Sequence, residues 1–426
     1  MKNKMENYLI VVRSYNDIDH MTPLIDYLAK NHIAKIYLFS SVPLGLIYPN
    51  ENLDYLKRKY GLEPKYLLDP NKYFFISILD TVYVSIKNYK TNKILNEISE
   101  KLLTKLIIFT RKLLIKSQLY FLSNNIEQIV SSIKPNLVCY DWTDPSRFPL
   151  SVITNNAKKL NIPVIGLPHS VIVYEKFDLD YNSIREKEYK RHAKGQSFDW
   201  QITYGELGEM HLVNEGYPKN KIKCLGSLRF EKEWIRIQEK NIINKEINLS
   251  VKGKIKIVLF PNKLMYSAKP DAIISLIQNV SQIGTLIIKP HTRKMTLNFL
   301  NDTIGKYDVK IVRDSYSSSE LIKWCDVGIL WGGSIGLQLL MMNKSLIYAK
   351  HAHSLPTIYE KYLPEIVVNN DSMLIEMIKK INGNKGKVNY KQENADLLIN
   401  DLVYAGSITK NVNERYIKFF ESLMKN

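Results

Sequence analysis

Lys289, His291 and Arg293 sit at alternate positions in the stretch IKPHTRK. On an extended strand end alternate side chains point the same way, and together these three suit a phosphate or pyrophosphate. The plainer reading is a basic tip facing solvent. LWGGSIGLQLL brings Gly332, Gly333 and Ser334 to a turn between an apolar run and a helical pattern. Glycines let the backbone approach a ligand, and the N–H groups of a helix start favour an anion, although any tight strand-to-helix turn can read Gly-Gly-Ser. Asn262 and Lys263 close a further apolar run in FPNK, and no GxxxxGK[ST] loop occurs. A second group is of a different kind: Asp141 and Asp144 in YDWTDPSR and His169 in GLPHS. A carboxylate or imidazole at a strand end can take a proton from a hydroxyl. Asp144 precedes Pro145, the arrangement of a helix N-cap, so the chemistry is assigned to Asp141, with His169 as the second candidate base.

These residues matter because of where strands must end. In open α/β sheets ligands bind beyond the carboxyl ends of the strands. Apolar runs of strand length fall at 7–14, 34–41, 136–142, 162–169 and 200–205, with helical patterns at 18–31, 145–160 and 206–216. The rhythm restarts with strands at 254–262, 284–291, 309–314, 327–333, 345–351 and 365–370 and helices at 270–281, 317–326, 334–343 and 372–382. Short, continuously apolar runs separated by amphipathic helices predict buried parallel strands in βαβ units. The expected fold class is α/β, with two Rossmann-like doubly wound domains facing a cleft. The expected boundaries are an N-terminal domain over 1–230, a charged linker over 231–253, a second domain over 254–385 and C-terminal helices over 386–426 that pack back across the cleft. The turn CLGSLRF around 225–228 is the expected hinge.

An insertion over 73–133 reads as helical. Within it Lys101, Lys105, Lys112 and Lys116 recur at spacings of 4, 7 and 4 and share a helix face, with Leu and Ile filling much of the rest. Such a helix can lie in the headgroup plane of an anionic membrane, or it can be a domain helix with a solvated basic face.

Composition sets the outer bounds. At 426 residues, 45% hydrophobic and 24% charged, the chain is globular and long enough for two domains. Cys139, Cys224 and Cys325 are odd in number and far apart, which excludes a disulfide scaffold and a cysteine zinc site. The start MKNKMENYLIVVRS lacks the apolar core of roughly 7–15 residues that marks a signal peptide, and no charge-free run reaches 18 residues. The expected location is therefore cytoplasmic, peripheral on the inner face of the membrane if the basic helix docks there. A net charge of +18 favours anionic partners, although a bias toward A·T-rich codons would also raise Lys, Asn, Ile and Tyr. No helix-turn-helix and no aromatic-interleaved basic patch appears, so nucleic acid is not an expected partner. No acidic pair is placed at a strand end of the second half, so neither a metal nor a cofactor is expected.

GLPHS, ITYG, CLGSLRF, IKPHTRK and DSYSSSELIKWCDVGILWGGSIGLQLLMMNKSLIY follow one another over roughly 135–350 in an order that resembles the GT-B glycosyltransferases of bacterial surface-polysaccharide synthesis. The nearest in pattern are the CDP-glycerol glycerophosphotransferase-like enzymes and the bacterial sialyl- and Kdo-transferases. In those families a His-Gly pair ends a first-domain strand, matched here by His169-Ser170. A Lys/His-Pro motif is matched by Lys289-Pro290-His291-Thr292, with Thr where the families have Pro. A Ser-containing turn at the nucleotide is matched by Ser334, with Gln338 where an acid would follow. The resemblance implies a metal-independent glycosyltransferase whose nucleotide-sugar donor (CMP-, CDP- or UDP-linked) lies on the second domain, with a glycan or lipid-linked acceptor. Lys289, His291 and Arg293 with the Gly332–Ser334 turn would neutralise the leaving phosphate, and Asp141 or His169 would take the acceptor's proton. The alternatives are a polyol-phosphate transferase, a sugar-nucleotide 2-epimerase and a non-catalytic binding module on the same fold.

Overall fold

A strand covered on both faces is apolar along its covered length, and the first such run lies in β1 (Glu6–Val12), whose last five residues, Tyr8 to Val12, are all buried. The computed structural model describes residues 5–67, 78, 81–86, 97–141, 149–175, 198–241, 247, 255–262, 268–291, 306–307, 309–312, 316–384, 386–407 and 411–424. It divides into two units, the first formed by Met1–His169, Tyr181–Arg229 and Ile408–Asn426, the second by Ser170–Asp180 and Phe230–Ser407.

In the first unit β1 is joined by β2 (Ala34–Ser40), β3 (Lys65–Tyr66), β4 (Leu137–Asp141), β5 (Val164–Leu167), β6 (Trp200–Thr203) and β7 (Ile222–Cys224). The sheet order is β3-β2-β1-β4-β5-β6-β7, every pair parallel. Leu9, Val11, Val138, Tyr140 and Val164 meet Ile126, Val130 and Ile153 in one core. Each such fully buried aliphatic side chain contributes about 1.5–3 kcal/mol. The helix Tyr15–Lys30 starts where the Ser14 hydroxyl accepts the Asp17 N–H, a cap typically worth about 1 kcal/mol. Its placement right after β1 holds Arg13, Ser14 and Asp17 at that strand's carboxyl end.

The second unit repeats the plan with β8 (Lys256–Phe260), β9 (Thr285–Ile288), β10 (Val309–Ile311), β11 (Val327–Leu330), β12 (Ser345–Ala349) and β13 (Val367–Val368), in the order β10-β9-β8-β11-β12-β13. All pairs are again parallel. Its core joins Ile257, Leu259, Ile288, Ile329 and Ile347 to Leu276, Ile277 and Leu374 of the flanking helices. Two helices of this unit carry their start signals in the sequence: Ser317 and Glu320 form a capping box at Ser318–Trp324, and Asn370 accepts the Met373 N–H at the start of Asp371–Gly383.

The fold is therefore the expected one, α/β with two Rossmann-like doubly wound units. Several local features differ from the sequence pattern. β3 and β7 have only two and three residues, too short to show a pattern. The charged stretch 231–253 carries the helix Lys232–Asn241, whose Trp234 and Ile235 are buried. Ser170 begins a segment that belongs to the second unit, where Val173 O accepts the Ile358 N–H at 2.8 Å. Of the two C-terminal helices, Gln392–Val403 lies in the second unit and Val412–Met424 in the first. In the latter the Tyr416 hydroxyl donates to Gly226 O at 3.0 Å, and Phe420 packs edge-on to Tyr8.

Candidate functional site

Each sheet reverses its strand order beside its first strand, between β1 and β4 in the first unit and between β8 and β11 in the second. At such a switch point the connecting loops leave in opposite directions and open a crevice beyond the carboxyl ends. Both switch points carry polar residues, and the two sets differ in character.

In the first unit Asp141 ends β4 and is fully buried. Its Oδ2 takes a hydrogen bond from His169 Nδ1 at 2.6 Å and one from Arg13 Nη2 at 3.0 Å. Arg13 follows β1, and its backbone N–H donates to Asp17 Oδ2 at 2.8 Å while Ser14 Oγ donates to Asp17 Oδ1. The His20 ring lies 5.6 Å from that of His169, tilted by 31°, and Arg229 donates to His20 Nε2 at 3.3 Å. Asp141 Oδ1 has no hydrogen-bond partner among the described residues.

The two carboxyls titrate in opposite directions. Burial works to raise Asp141, but the adjacent His169, by charge and hydrogen bond, together with Arg13 and His20, outweighs it and holds this carboxyl well below the usual range. Asp17 is pushed up to about 6, first by burial and then by the Asp141 charge, against opposing contributions from Arg13, His169 and Ser14. Asp141 thus stays ionised and faces His169 Nδ1, the arrangement that orients an imidazole through one nitrogen. The ligand atoms of Asp17, Asp141 and His169 lie within 4.8 Å of one another, a spacing a divalent cation could use. Arg13 already brings a positive charge to both carboxylates, with Nε 3.5 Å from Asp17 Oδ2.

In the second unit the turn after β11 is set by backbone shape. Gly332 and Gly333 have φ of +133° and +94°, a region that L side chains rarely adopt. A Cβ at Gly332 would also lie 2.5 Å from Tyr174 Oη and 3.1 Å from Asn262 Nδ2. Asn262, buried after β8, donates to Tyr174 Oη, and Tyr359 Oη donates to Gly333 O at 2.9 Å. The Ser170 and Ser334 hydroxyls are 3.2 Å apart. Ser334 holds the N-cap position of the helix Ile335–Met341 without a side-chain cap bond.

The other sequence candidates are distributed unevenly. β9 ends at Ile288, because Pro290 has no N–H to extend the ladder. Lys289, Pro290 and His291 therefore follow the strand rather than continue it. Lys289 is buried, with Nζ donating to Tyr316 O at 2.6 Å, and His291 is half-buried. Gln338 is buried and donates to Ser319 Oγ at 2.7 Å. Lys263, Arg293, Asp144 and Thr292 lie outside the described residues. The residues that pattern reading passed over are Arg13, Asp17, His20 and Tyr174. The signal for Arg13 was present: applied to NYLIVVRS, the strand-end rule selects Arg13 and Ser14. Nothing local marks Tyr174.

No protein-family model matches this sequence, and no curated protein matches it. Solved structures do match over nearly the whole chain. The UDP-GlcNAc 2-epimerase of Methanocaldococcus jannaschii is 15% identical, covers 98% of this chain and 99% of its own, and superposes with a TM-score of 0.56. The UDP-GlcNAc 2-epimerase of Neisseria meningitidis, bound to UDP-GlcNAc, is 13% identical over 99% of this chain and 100% of its own, with a TM-score of 0.52. Anabaena Alr3699/HepE, in complex with UDP-glucose, is 11% identical over 98% and 99%, with a TM-score of 0.50. At these identities the likeness establishes the fold, two Rossmann-like domains of the GT-B kind.

Proposed function

We propose that this protein is a sugar-nucleotide enzyme and that its reaction is epimerisation of the sugar. The observation that carries the reading is the pair of carboxyls at the first unit's switch point, Asp141 held ionised and Asp17 raised to about 6, sharing Arg13 and His169. Neighbouring titratable groups pushed apart in pKa are how a site obtains an acid and a base at one pH. Inverting a carbon that bears hydrogen breaks a C–H bond on one face and forms one on the other, so one group takes a proton and another returns it. The His169–Asp141 pair is the base, with Nε2 as the accepting atom, and Asp17 can carry a proton near neutral pH. Matching solved structures include proteins named as UDP-GlcNAc 2-epimerases, which supports the substrate class.

The nucleotide belongs to the second unit in this reading. The Gly332–Gly333–Ser334 turn lets backbone N–H groups come close to a phosphate, Asn262 adjoins that turn, and His291 follows β9 of the same sheet. Lys263 and Arg293 would add charge to the same site. Lys289 acts from behind, since its ammonium is committed to Tyr316 O.

One observation favours a second reading, transfer of the sugar to a glycan or lipid-linked acceptor. An imidazole backed by a buried carboxylate is suited to deprotonating a hydroxyl, and transfer needs that step. Incubation with UDP-, CDP-, GDP- and CMP-sugars in D₂O separates the two. Epimerisation places solvent deuterium on the inverted carbon with no acceptor present. Transfer leaves the sugar's C–H bonds unlabelled and releases nucleotide only when an acceptor is added. Absence of binding to every donor overturns both.

A further inference from the structure

We propose that the long helix of the first unit, Glu97–Ile133, is a docking surface for an anionic phospholipid bilayer. Its inward face is identified by the core it joins: Ile107, Ile126, Val130 and Ile133 pack with the strands of the first sheet, and Thr110 is buried beside them. A helix that needs only this seam should be polar elsewhere. This one is not. Leu102, Leu106, Phe109 and Leu113, spaced 4, 3 and 4, form a second apolar stripe, with Leu102 67% and Phe109 58% exposed. At about 100° per residue this stripe is centred roughly a quarter-turn from Ile107 and Thr110, the inward-facing positions alongside it.

Exposed large hydrophobic side chains scattered singly mean nothing, but clustered ones mark a partner. Thirteen such side chains occur among the described residues, and five fall between Leu102 and Leu113. Charge identifies the partner. Lys105 and Lys112, both exposed, follow the other flank of the apolar stripe in line with Lys101. An apolar stripe bordered by lysines matches the acyl–headgroup boundary of an anionic leaflet, where the ring and leucines enter and the ammonium groups meet phosphate. A second protein copy bearing the same lysines would face like charge instead. No helix among the described residues is long and apolar enough to cross a membrane, so the contact is interfacial. The proposal does not depend on the sugar-nucleotide reading.

Flotation of the full chain with phosphatidylglycerol–phosphatidylethanolamine vesicles, against phosphatidylcholine vesicles, tests it. The protein is expected to float with the anionic vesicles only and to be released by high salt. Lys105→Glu with Lys112→Glu should lower partitioning about tenfold or more. Leu106→Ser with Phe109→Ser should lower it by a similar factor, about tenfold, without changing net charge. The substituted side chains are exposed, and an unchanged thermal midpoint confirms that each variant folds. Binding retained by both variants would assign any adhesion to the chain's overall positive charge and overturn the proposal. Failure to float with anionic vesicles would overturn it too, as would a dimer in sedimentation that Phe109→Ser dissociates in place of vesicle binding. Flotation is read without turnover, so its failure leaves the enzymatic reading standing.

Discussion

The two switch points of this protein occupy the same place in the same topology and are built from opposite materials. In the first unit the strand ends carry Arg13, Asp141 and His169, and the helix that follows β1 adds Asp17, so that charged or titratable groups are drawn into one network. In the second the strand ends carry Gly332, Gly333, Ser334 and Asn262, which offer backbone and neutral polar groups. Coupled titratable groups can move protons, because each changes the pKa of the next. Glycine and amide groups hold an anion at any pH but exchange nothing with it. The topology is the same in both units, and in the proposed reading side-chain chemistry would divide the labour.

The largest effect that would test this division is expected from Asp141. Asp141→Asn or His169→Ala should lower turnover by about 10²–10⁴ while nucleotide affinity stays near that of the unaltered protein. Should both variants remain fully active, the first unit's cluster is structural and the contrast collapses. Thermal stability is the control, because removing one partner of a buried charge pair also costs about 3–5 kcal/mol.

Next in size is the converse change. Gly332→Ala forces a side chain into φ +133° and against Tyr174 Oη. It should cost about 1–3 kcal/mol of stability and weaken nucleotide binding, with the pH profile of any remaining turnover unchanged. His291→Ala should reduce affinity and turnover together, by about tenfold, as loss of one charged hydrogen bond does. Calorimetric titration with nucleotide reads both, and full affinity in both variants would remove the binding role from the second unit.

The pH dependence of stability should distinguish the units by sign. Between 3.8 and about 6 the folded chain holds more proton at Asp17 than the unfolded chain does, so this group's contribution falls as pH rises through that window. Over the full window that amounts to about 3 kcal/mol. His353 of the second unit behaves oppositely: burial lowers it from 6.5 to about 4, so stability is lost as pH falls through that range. Asp17→Asn should therefore steepen the gain in stability from pH 4 to 6, and His353→Gln should reverse it, as followed by urea unfolding at stepped pH. Equal slopes in the two variants would show that neither group controls acid stability.

The smallest expected effect is none at all. Chelator should leave turnover unchanged, since Arg13 brings positive charge to the Asp17–Asp141–His169 cluster. Loss of turnover on chelation, restored by a divalent cation, would turn that cluster into a metal centre and blur the contrast between the units.

Sequence reading reached Asp141, His169 and the Gly332–Ser334 turn because each closes a continuously apolar run, and such runs are visible without coordinates. It missed β3 and β7, where two or three residues carry no period, and the helix Lys232–Asn241, whose charged surface masks Trp234. It placed Lys289 with His291 and Arg293 on one strand edge; the strand stops at Ile288, and the Lys289 ammonium bonds to Tyr316 O.

What the amino-acid order determined by itself was local: two runs of parallel strands, most helix patterns, the helix caps at Ser14, Ser317 and Asn370, and glycines where the backbone must turn left-handed. These follow from periodicity and from φ, ψ preferences that act within a few residues. Tertiary structure alone decided which strand ends meet. Pairing of β1 with β4 brings Arg13 to Asp141 across 128 positions of sequence, and pairing of β4 with β5 brings His169 to the same carboxylate. Tyr174 reaches Asn262 across 88. The fate of a charged side chain depends on the partner it meets in three dimensions. Two buried carboxyls that share Arg13 and His169 are shifted in opposite directions, Asp141 down and Asp17 up to about 6, and no local pattern distinguishes the two.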